Sequence, residues 1–111
     1  MVNKKLIVEL KSILKDNQLL IKDQILNRFS HIWKTDQPLQ AIAVTFPETT
    51  KEVSDIIKIC NKNNQEIIVH GGLTNLVGGT ETKKNQLVIS LEKMNKIEEV
   101  DDKSRTITTQ A

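Results

Sequence analysis

The chain is poor in the residues on which several classes of protein depend. Cys60 is the only cysteine among 111 residues, which excludes an internal disulfide and a multi-cysteine metal site. Tyrosine is absent and aromatic residues make up 3% of the chain, so the core is left to leucine, isoleucine and valine. No apolar run approaches the roughly 20 residues that a membrane-spanning helix needs, and the start lacks the apolar core of a secretory signal. We therefore expect one cytoplasmic domain without a transmembrane segment.

Neither sign of charge dominates the chain. Sixteen lysine and arginine residues oppose 14 aspartate and glutamate residues, for a formal net charge of +2. Nucleic-acid binding needs a basic stripe, often with stacking aromatics, and the sequence shows neither. We expect no nucleic-acid partner. Cys60 falls on the apolar face of a predicted helix, which favours a buried structural thiol over a reactive one.

The first third of the chain has helical periodicity. Leu6, Leu10 and Ile13 recur at helical spacing, and a second short amphipathic segment covers residues 19–29. Residues 30–40 are polar and irregular. We interpret residues 1–38 as an N-terminal helical segment.

The pattern changes after residue 40. Residues 41–46 read as a strand ended by Pro47, and Thr49 with Glu52 matches a capping box at the start of a helix. That helix carries an apolar stripe of Val53, Ile56, Ile57 and Cys60. Residues 66–69 form the next predicted strand. Strand, helix and strand predict a βαβ unit with parallel strands.

Three more strands are predicted at residues 87–91, 97–100 and 106–109. The last two flank residues 101–104, whose composition is typical of a hairpin turn. The sequence then ends directly after an alternating strand, and natural domains seldom leave such an edge unprotected. We therefore expect a sheet that is cut off in this sequence.

All four glycines fall within residues 71–80, GGLTNLVGGT. Glycine lets the backbone come close to a ligand, and consecutive amides in such a turn form a concave anion site. The spacing fits neither the dinucleotide fingerprint nor the P-loop. From the residues alone, two readings stay open: a turn between strands, or a loop that holds an anion.

Three ordered motifs resemble one family of flavoproteins. They are AVTFPETTKEV at residues 43–53, IVHGGLTNLVGG at residues 68–79, and VISLEKMNKI at residues 88–97 continuing through TITTQA at residues 106–111. The chain from about Leu39 to its end is similar to the FAD-binding PCMH-type domain of the vanillyl-alcohol oxidase / p-cresol methylhydroxylase family, and most similar to its D-lactate dehydrogenase and glycolate oxidase branch. The resemblance implies an α+β fold: N-terminal helices, then a βαβ unit and further strands, forming the first half of the FAD domain over residues 39–111.

The resemblance also implies a cofactor site. Pro47 would end the first strand beside the adenine-side pocket, and the glycine loop would wrap the FAD pyrophosphate through backbone amides. In that family Gly71 and Gly72 would allow close approach, while Gly78 and Gly79 would turn the chain away. The whole set implied by the resemblance is Pro47, His70, Gly71, Gly72, Leu73, Thr74, Asn75, Leu76, Gly78 and Gly79. Some members link flavin to a histidine at the position of Leu73, so non-covalent FAD is expected here.

The family implies an activity for the full-length protein, namely oxidation of a small D-2-hydroxy acid such as glycolate or D-lactate. The rest of the FAD domain and a cap domain would come from further sequence or a second chain. No residue of this chain is assigned to catalysis or to a metal. Two alternatives stay open: a non-catalytic nucleotide- or phosphate-binding module, and an inactive fragment.

The remaining chemistry-bearing residues have plainer interpretations. His31 has no motif around it and is expected at the surface, and Ser90 is read as a hydroxyl at a strand end. Lys93, Met94 and Asn95 match the family's turn and are expected to serve packing and capping. The acidic residues of the hairpin are interpreted as a solvated face: Glu98, Glu99, Asp101 and Asp102.

Overall fold

The computed structural model describes residues 4–110, so Ala111, the last residue of the third motif, lies outside the described residues. These residues form two α-helices, α1 (Lys4–Ile13) and α2 (Thr50–Lys62). Short 3₁₀ helices cover Asp16–Gln18 and Lys22–Ile25. The strands are β1 (Leu19–Leu20), β2 (Ala43–Thr45), β3 (Ile67–His70), β4 (Leu87–Ser90), β5 (Ile97–Asp101) and β6 (Thr106–Thr109).

Four strands form one sheet in the order β1-β2-β4-β3. Strand β4 is parallel to both β2 and β3, whereas β1 runs antiparallel to β2. The predicted βαβ strands are thus parallel, but β4 lies between them, a placement that the local pattern did not predict. The register pairs Val44 with Val88 and His70 with Ser90.

The central strands are buried on both faces. Alternate residues point to opposite faces of a strand, and Ala43, Leu87 and Ile89 join the core formed with the two helices. Val44, Phe46 and Val88 instead join a second core on the other face, with Ile25 and Leu39. The segment before β2 therefore covers the face of the sheet that the helices do not. The predicted amphipathic segment at 19–29 is not an α-helix, because its first two residues pair with β2 as strand β1.

Thr49 is the N-cap of helix α2, as predicted, and its Oγ1 accepts from the amide of Glu52 at 3.1 Å. The reciprocal half of the predicted capping box is wrong. The Glu52 carboxylate accepts from the amide of Glu48 at 2.8 Å and from Nε2 of the buried Gln18 at 3.1 Å. This carboxylate therefore ties the start of α2 to the end of the first 3₁₀ helix.

The stripe on α2 is narrower than predicted, since Ile56 and Cys60 are buried but Ile57 is exposed. Burial raises the pKa of the Cys60 thiol to about 11, so the thiol stays protonated and structural, as expected. Strands β5 and β6 form the predicted hairpin, with a register shift between Ile97 and Glu99. No helix in residues 4–110 is long and apolar enough to cross a membrane.

Candidate cofactor site

The three parallel strands end at the same edge of the sheet. β2 is followed by Phe46 and Pro47, β4 by Leu91 and β3 by Gly71. In open sheets of parallel strands, ligands bind outside this carboxyl edge. The glycine loop, defined as residues 71–80, therefore leaves the sheet where a ligand site is expected.

A buried histidine closes the base of the glycine loop. His70 is 1% exposed, and its Nε2 lies 2.8 Å from the carbonyl oxygen of Thr80. A carbonyl only accepts, so Nε2 carries the proton and donates. Burial is the main cause that lowers the pKa of His70, and the Arg28 charge lowers it further, while the hydrogen bond to Thr80 opposes the shift. The ring is therefore neutral near pH 7.

The side chain of Asn75 organises the interior of the loop. Its Oδ1 accepts from the amides of Val77 at 3.2 Å and Gly79 at 3.1 Å. Its Nδ2 donates to Oγ1 of Thr80 at 2.9 Å. Thr80 Oγ1 in turn donates to the carbonyl of Ser30 at 2.5 Å. The polar atoms of Asn75 are thus engaged within the protein, in the second half of the loop.

Residues 30–33 support the loop from outside. Nε2 of His31 donates to the carbonyl of Asn75 at 2.7 Å, and its Nδ1 accepts from the amide of Trp33 at 3.1 Å. The amide of Ile32 donates to the carbonyl of Leu73 at 3.2 Å. His31 is therefore half-buried and carries a loop contact, where the sequence suggested only a surface residue. A contact 44 positions away leaves no local signal in the sequence.

The first half of the loop is open to solvent. Gly71, Gly72 and Thr74 are exposed, and Leu73 is half-buried. Within residues 4–110, the amides of Gly72, Leu73 and Thr74 donate to no protein acceptor. A Cβ placed on Gly71 or Gly72 would meet no atom within 4 Å, and neither has a positive φ. The packing and backbone of the described residues therefore do not require glycine at these two positions.

Positive φ angles occur elsewhere in the loop, at Gly78 (+73°) and at Leu73 (+61°). Gly78 fits the expected turn, since this region favours glycine. Leu73 is a residue with a side chain in the same region, which is uncommon. The loop thus bends twice, once at a glycine and once at a leucine.

Two cations lie against Phe46 at the same edge. The guanidinium of Arg28 is 4.9 Å from the centre of the Phe46 ring, and the Lys93 ammonium is 5.4 Å from it. Arg28 also forms two hydrogen bonds with Glu92, at 3.0 and 3.1 Å. Pro47 follows Phe46 and is fully buried. Arg28 is thus paired with a carboxylate, whereas Lys93 donates to the carbonyl of Asn17 at 2.5 Å.

Ser90 ends β4 beside His70 and is 1% exposed, and its Oγ has no hydrogen-bond partner among the described residues. Met94 is buried and its amide donates to the carbonyl of Leu91 at 2.9 Å, in agreement with the packing and capping expected for this turn.

In the hairpin of β5 and β6, amide hydrogen bonds from Ser104 and Lys103 lower the pKa of Asp101. Glu98, Glu99 and Asp102 are exposed, as a solvated face requires.

Comparisons with known proteins agree with this architecture. The chain is 31% identical over 103 residues to D-2-hydroxyglutarate–pyruvate transhydrogenase DLD3 of Saccharomyces cerevisiae, covering 91% of this chain and 21% of that protein. It is 40% identical over 68 residues to glycolate oxidase subunit GlcD of Bacillus subtilis, covering 61% and 14%. The chain thus spans about a quarter or less of the curated relatives it matches. Relatives from Schizosaccharomyces pombe and Arabidopsis thaliana are designated mitochondrial.

Among solved structures, p-cresol methylhydroxylase superposes with a TM-score of 0.62 at 22% identity, over 87% of this chain and 20% of that one. This similarity confirms the PCMH-type fold. The FAD binding domain family model matches residues 41–111, which include the strand β2, helix α2 and the glycine loop. The chain therefore belongs to the FAD binding domain family.

Proposed function

We propose that this chain binds FAD non-covalently, with the cofactor pyrophosphate held by backbone amides of the glycine loop. In this proposal the chain is the N-terminal part of the FAD domain of a dehydrogenase that oxidises a small D-2-hydroxy acid. The division into a helical segment at 1–38 and an FAD subdomain at 39–111 stays a prediction, as does a cytoplasmic location.

One observation carries the proposal. Gly71 and Gly72 are glycines that neither φ nor packing within the described chain requires. The amides of residues 72–74 donate to no acceptor among residues 4–110. An exposed glycine doublet beside free amides leaves room for a ligand to touch the backbone itself. A diphosphate in direct contact with the backbone would explain both features at once.

The chemistry of the loop suits an anion of this kind. Hydrogen bonds to an ionised acceptor are about twice as strong as neutral ones, so several amides hold phosphate without a lysine. Converging amides form a concave positive nest. Lys34, near the loop, is already paired with Glu81 and is not required. Asn75, through its internal hydrogen bonds, would position the loop, while the exposed Thr74 hydroxyl stays available to the cofactor.

Other residues of the implied site have supporting roles in the proposal. His70 would fix the base of the loop through Thr80, and the buried Pro47 would shape the edge rather than donate to the cofactor. Leu73 offers no nucleophile for covalent flavin attachment. Bound FAD would supply the redox chemistry, and this chain would supply position.

The proposed substrate class rests on the relatives, which are named for D-2-hydroxyglutarate and glycolate. Because the chain spans so little of those proteins, substrate binding and proton removal are assigned to the remainder of the FAD domain and to a cap domain. The alternative function is a nucleotide- or phosphate-binding module that uses the same loop without catalysis.

The test is an FAD titration of the 111-residue chain, followed by quenching of flavin fluorescence. We expect weak binding, since part of the enclosure lies in other sequence. A Gly72→Val variant should lower the FAD affinity at least about tenfold. Its free energy of unfolding should change by less than about 0.5 kcal/mol, as for an exposed substitution. Asn85→Val, before β4 at the opposite edge, serves as the matched control. Equal binding of FAD, FMN and ADP would favour the alternative module, and an unaffected Gly72→Val variant would contradict the loop assignment.

A further inference from the structure

A second concave surface lies at the opposite edge of the sheet from the glycine loop. We call it the lysine-rimmed groove. The groove has a volume of about 700 Å³, and its apolar floor is formed by Ile7, Val8, Ile21, Ala41 and Ile42. Ile42 directly precedes β2, so the floor lies at the amino ends of the parallel strands. The proposed FAD site uses none of these residues.

One face of α1 forms a wall of the groove. Lys4, Ile7, Val8 and Lys11 have the spacing i, i+3, i+4 and i+7, which places them on one side of a helix. Ile7 also packs into the helical core, but Val8 remains 67% exposed. An aliphatic side chain left open inside a concave surface is available to an apolar ligand.

The rim of the groove is positively charged. Lys4, Lys11, Lys22 and Lys84 line it, and no aspartate or glutamate is among the lining residues. Within residues 4–110, none of these four lysines has an ion-pair partner. Lysines elsewhere do pair with carboxylates, as Lys62 does with Glu9. The positive charge of the rim is therefore not neutralised by the described chain.

One rim lysine also has an unusual backbone. Lys22 has a φ of +53°, in the left-handed region that favours glycine or asparagine. Such outliers cluster at ligand sites more often than elsewhere. The strained position coincides with the unpaired charges and the exposed apolar floor.

We propose that the lysine-rimmed groove binds a single-chain anionic amphiphile: an aliphatic tail on the floor and a carboxylate head against the lysines. The volume lies within the roughly 300–1,000 Å³ range typical of small-molecule sites. The floor provides no hydrogen-bonding side chain, which suits a hydrocarbon tail. The rim provides only ammonium groups and the amide of Asn85, which suits a carboxylate.

The experiment titrates the 111-residue chain with dodecanoate below its micelle-forming concentration, using calorimetry. Dodecanol and dodecyltrimethylammonium are probes with the same tail and a different head. Dodecanoate should bind at least about tenfold more tightly than either, and this preference should shrink in 0.5 M salt because rim charges are screened. Equal binding of the three probes, or no binding of dodecanoate, would overturn the proposal.

Two variants test the two halves of the groove. Val8→Asn keeps a similar size but removes an apolar side chain from the floor, and the double variant Lys11→Glu/Lys84→Glu reverses charge on the rim. Each should weaken dodecanoate binding by at least about fivefold. For the double lysine variant, this size is consistent with modest exposed charge interactions summed over two sites. Lys58→Glu, on the exposed face of α2, is the control and should have no effect.

Circular dichroism with thermal unfolding verifies that each variant remains folded. Binding that survives in both variants would contradict the assignment. Binding to vesicles of anionic lipid without binding of monomeric dodecanoate would overturn it in favour of a membrane-surface contact. Addition of FAD should not displace dodecanoate, so this result does not depend on the outcome of the FAD titration.

Discussion

The side chain of His70 and the backbone of Thr80 meet across the ten-residue span of the glycine loop. Nε2 of His70 donates to the Thr80 carbonyl at 2.8 Å, and both residues are buried. The loop is therefore fixed at its two ends, while its first half is exposed and has amides that donate to no acceptor in the described part of the chain. A loop that is ordered before binding loses less entropy when it binds its ligand.

The buried His70 predicts a pH dependence of stability. Burial lowers the pKa of His70 from its ordinary value of 6.5, so the unfolded chain takes up this proton more readily than the folded chain does. The contribution of neutral His70 is therefore complete above pH 6.5 and is lost as the pH falls through the folded-state pKa. We expect the free energy of unfolding to decrease between pH 7 and pH 5.

Urea unfolding of the wild type and of His70→Gln at several pH values measures this effect. Glutamine retains an N–H donor for Thr80 but does not titrate, so the variant should show a flatter profile. His31→Gln is the matched control, since it replaces the only other histidine. A His70→Gln variant with the wild-type pH dependence would rule out His70 as the source.

The positive φ of Leu73 predicts that a glycine variant at this position is more stable than an alanine variant, which reverses the usual order. A side chain in the left-handed region costs roughly 1–2 kcal/mol, and Leu73→Ala keeps this strain whereas Leu73→Gly removes it. Both variants lose the half-buried side chain. We therefore expect Leu73→Gly to be more stable than Leu73→Ala by about 1 kcal/mol, after the larger unfolded-state entropy of glycine is included.

Leu76 provides the comparison for Leu73. It lies three residues later in the same loop, is 83% exposed and has no positive φ. There the usual order should hold, with Leu76→Ala more stable than Leu76→Gly by about 0.4–1 kcal/mol. Thermal unfolding of the four variants measures both differences. The same order at both positions would show that the Leu73 backbone is not strained.

The hydrogen bonds of Asn75 predict an effect on cofactor affinity beyond stability. Asn75→Ala removes two acceptor contacts and one donor contact from the loop. We expect stability to fall by about 1–2 kcal/mol, because each net hydrogen bond contributes about 0.5–1.5 kcal/mol and these are partly exposed. FAD affinity should fall at least about fivefold, since the loop loses its internal order.

Flavin fluorescence and thermal unfolding test this together. Asn61→Ala, at an exposed position of α2, is the matched control and should change neither quantity appreciably. If Asn75→Ala lowers stability but leaves FAD affinity unchanged, the side chain supports only the fold.

Local features of the fold were predictable, and distant pairings were not. The spacing of Leu6 and Leu10 indicated α1, and Thr49 indicated the start of α2, because both signals lie within one or two helical turns. The contact of Glu52 with Gln18 and that of His31 with Asn75 join residues 34 and 44 positions apart. Such contacts depend on tertiary packing and leave no periodic pattern in the sequence.

The features of the candidate site also fall into those that the sequence predicted and those that it did not. The position of the glycine loop was evident from four clustered residues, and the family resemblance predicts its ligand class. That Asn75 would be engaged inside the loop, and that Leu73 would adopt a positive φ, followed only from the folded backbone. The lysine-rimmed groove was not predicted, because Lys11, Lys22 and Lys84 lie far apart in the sequence and converge only in the fold.

The central position of β4 has a consequence for how the chain folds. Strands β2 and β3 each pair with β4 and not with each other, so no parallel pair can form until residues 87–90 are available. Before then, a growing chain has only the two-residue pairing of β1 with β2. Pairing at long sequence separation is slow to form. The step that completes the sheet therefore also closes residues 71–86 into a loop, so we expect the glycine loop to acquire its shape late in folding.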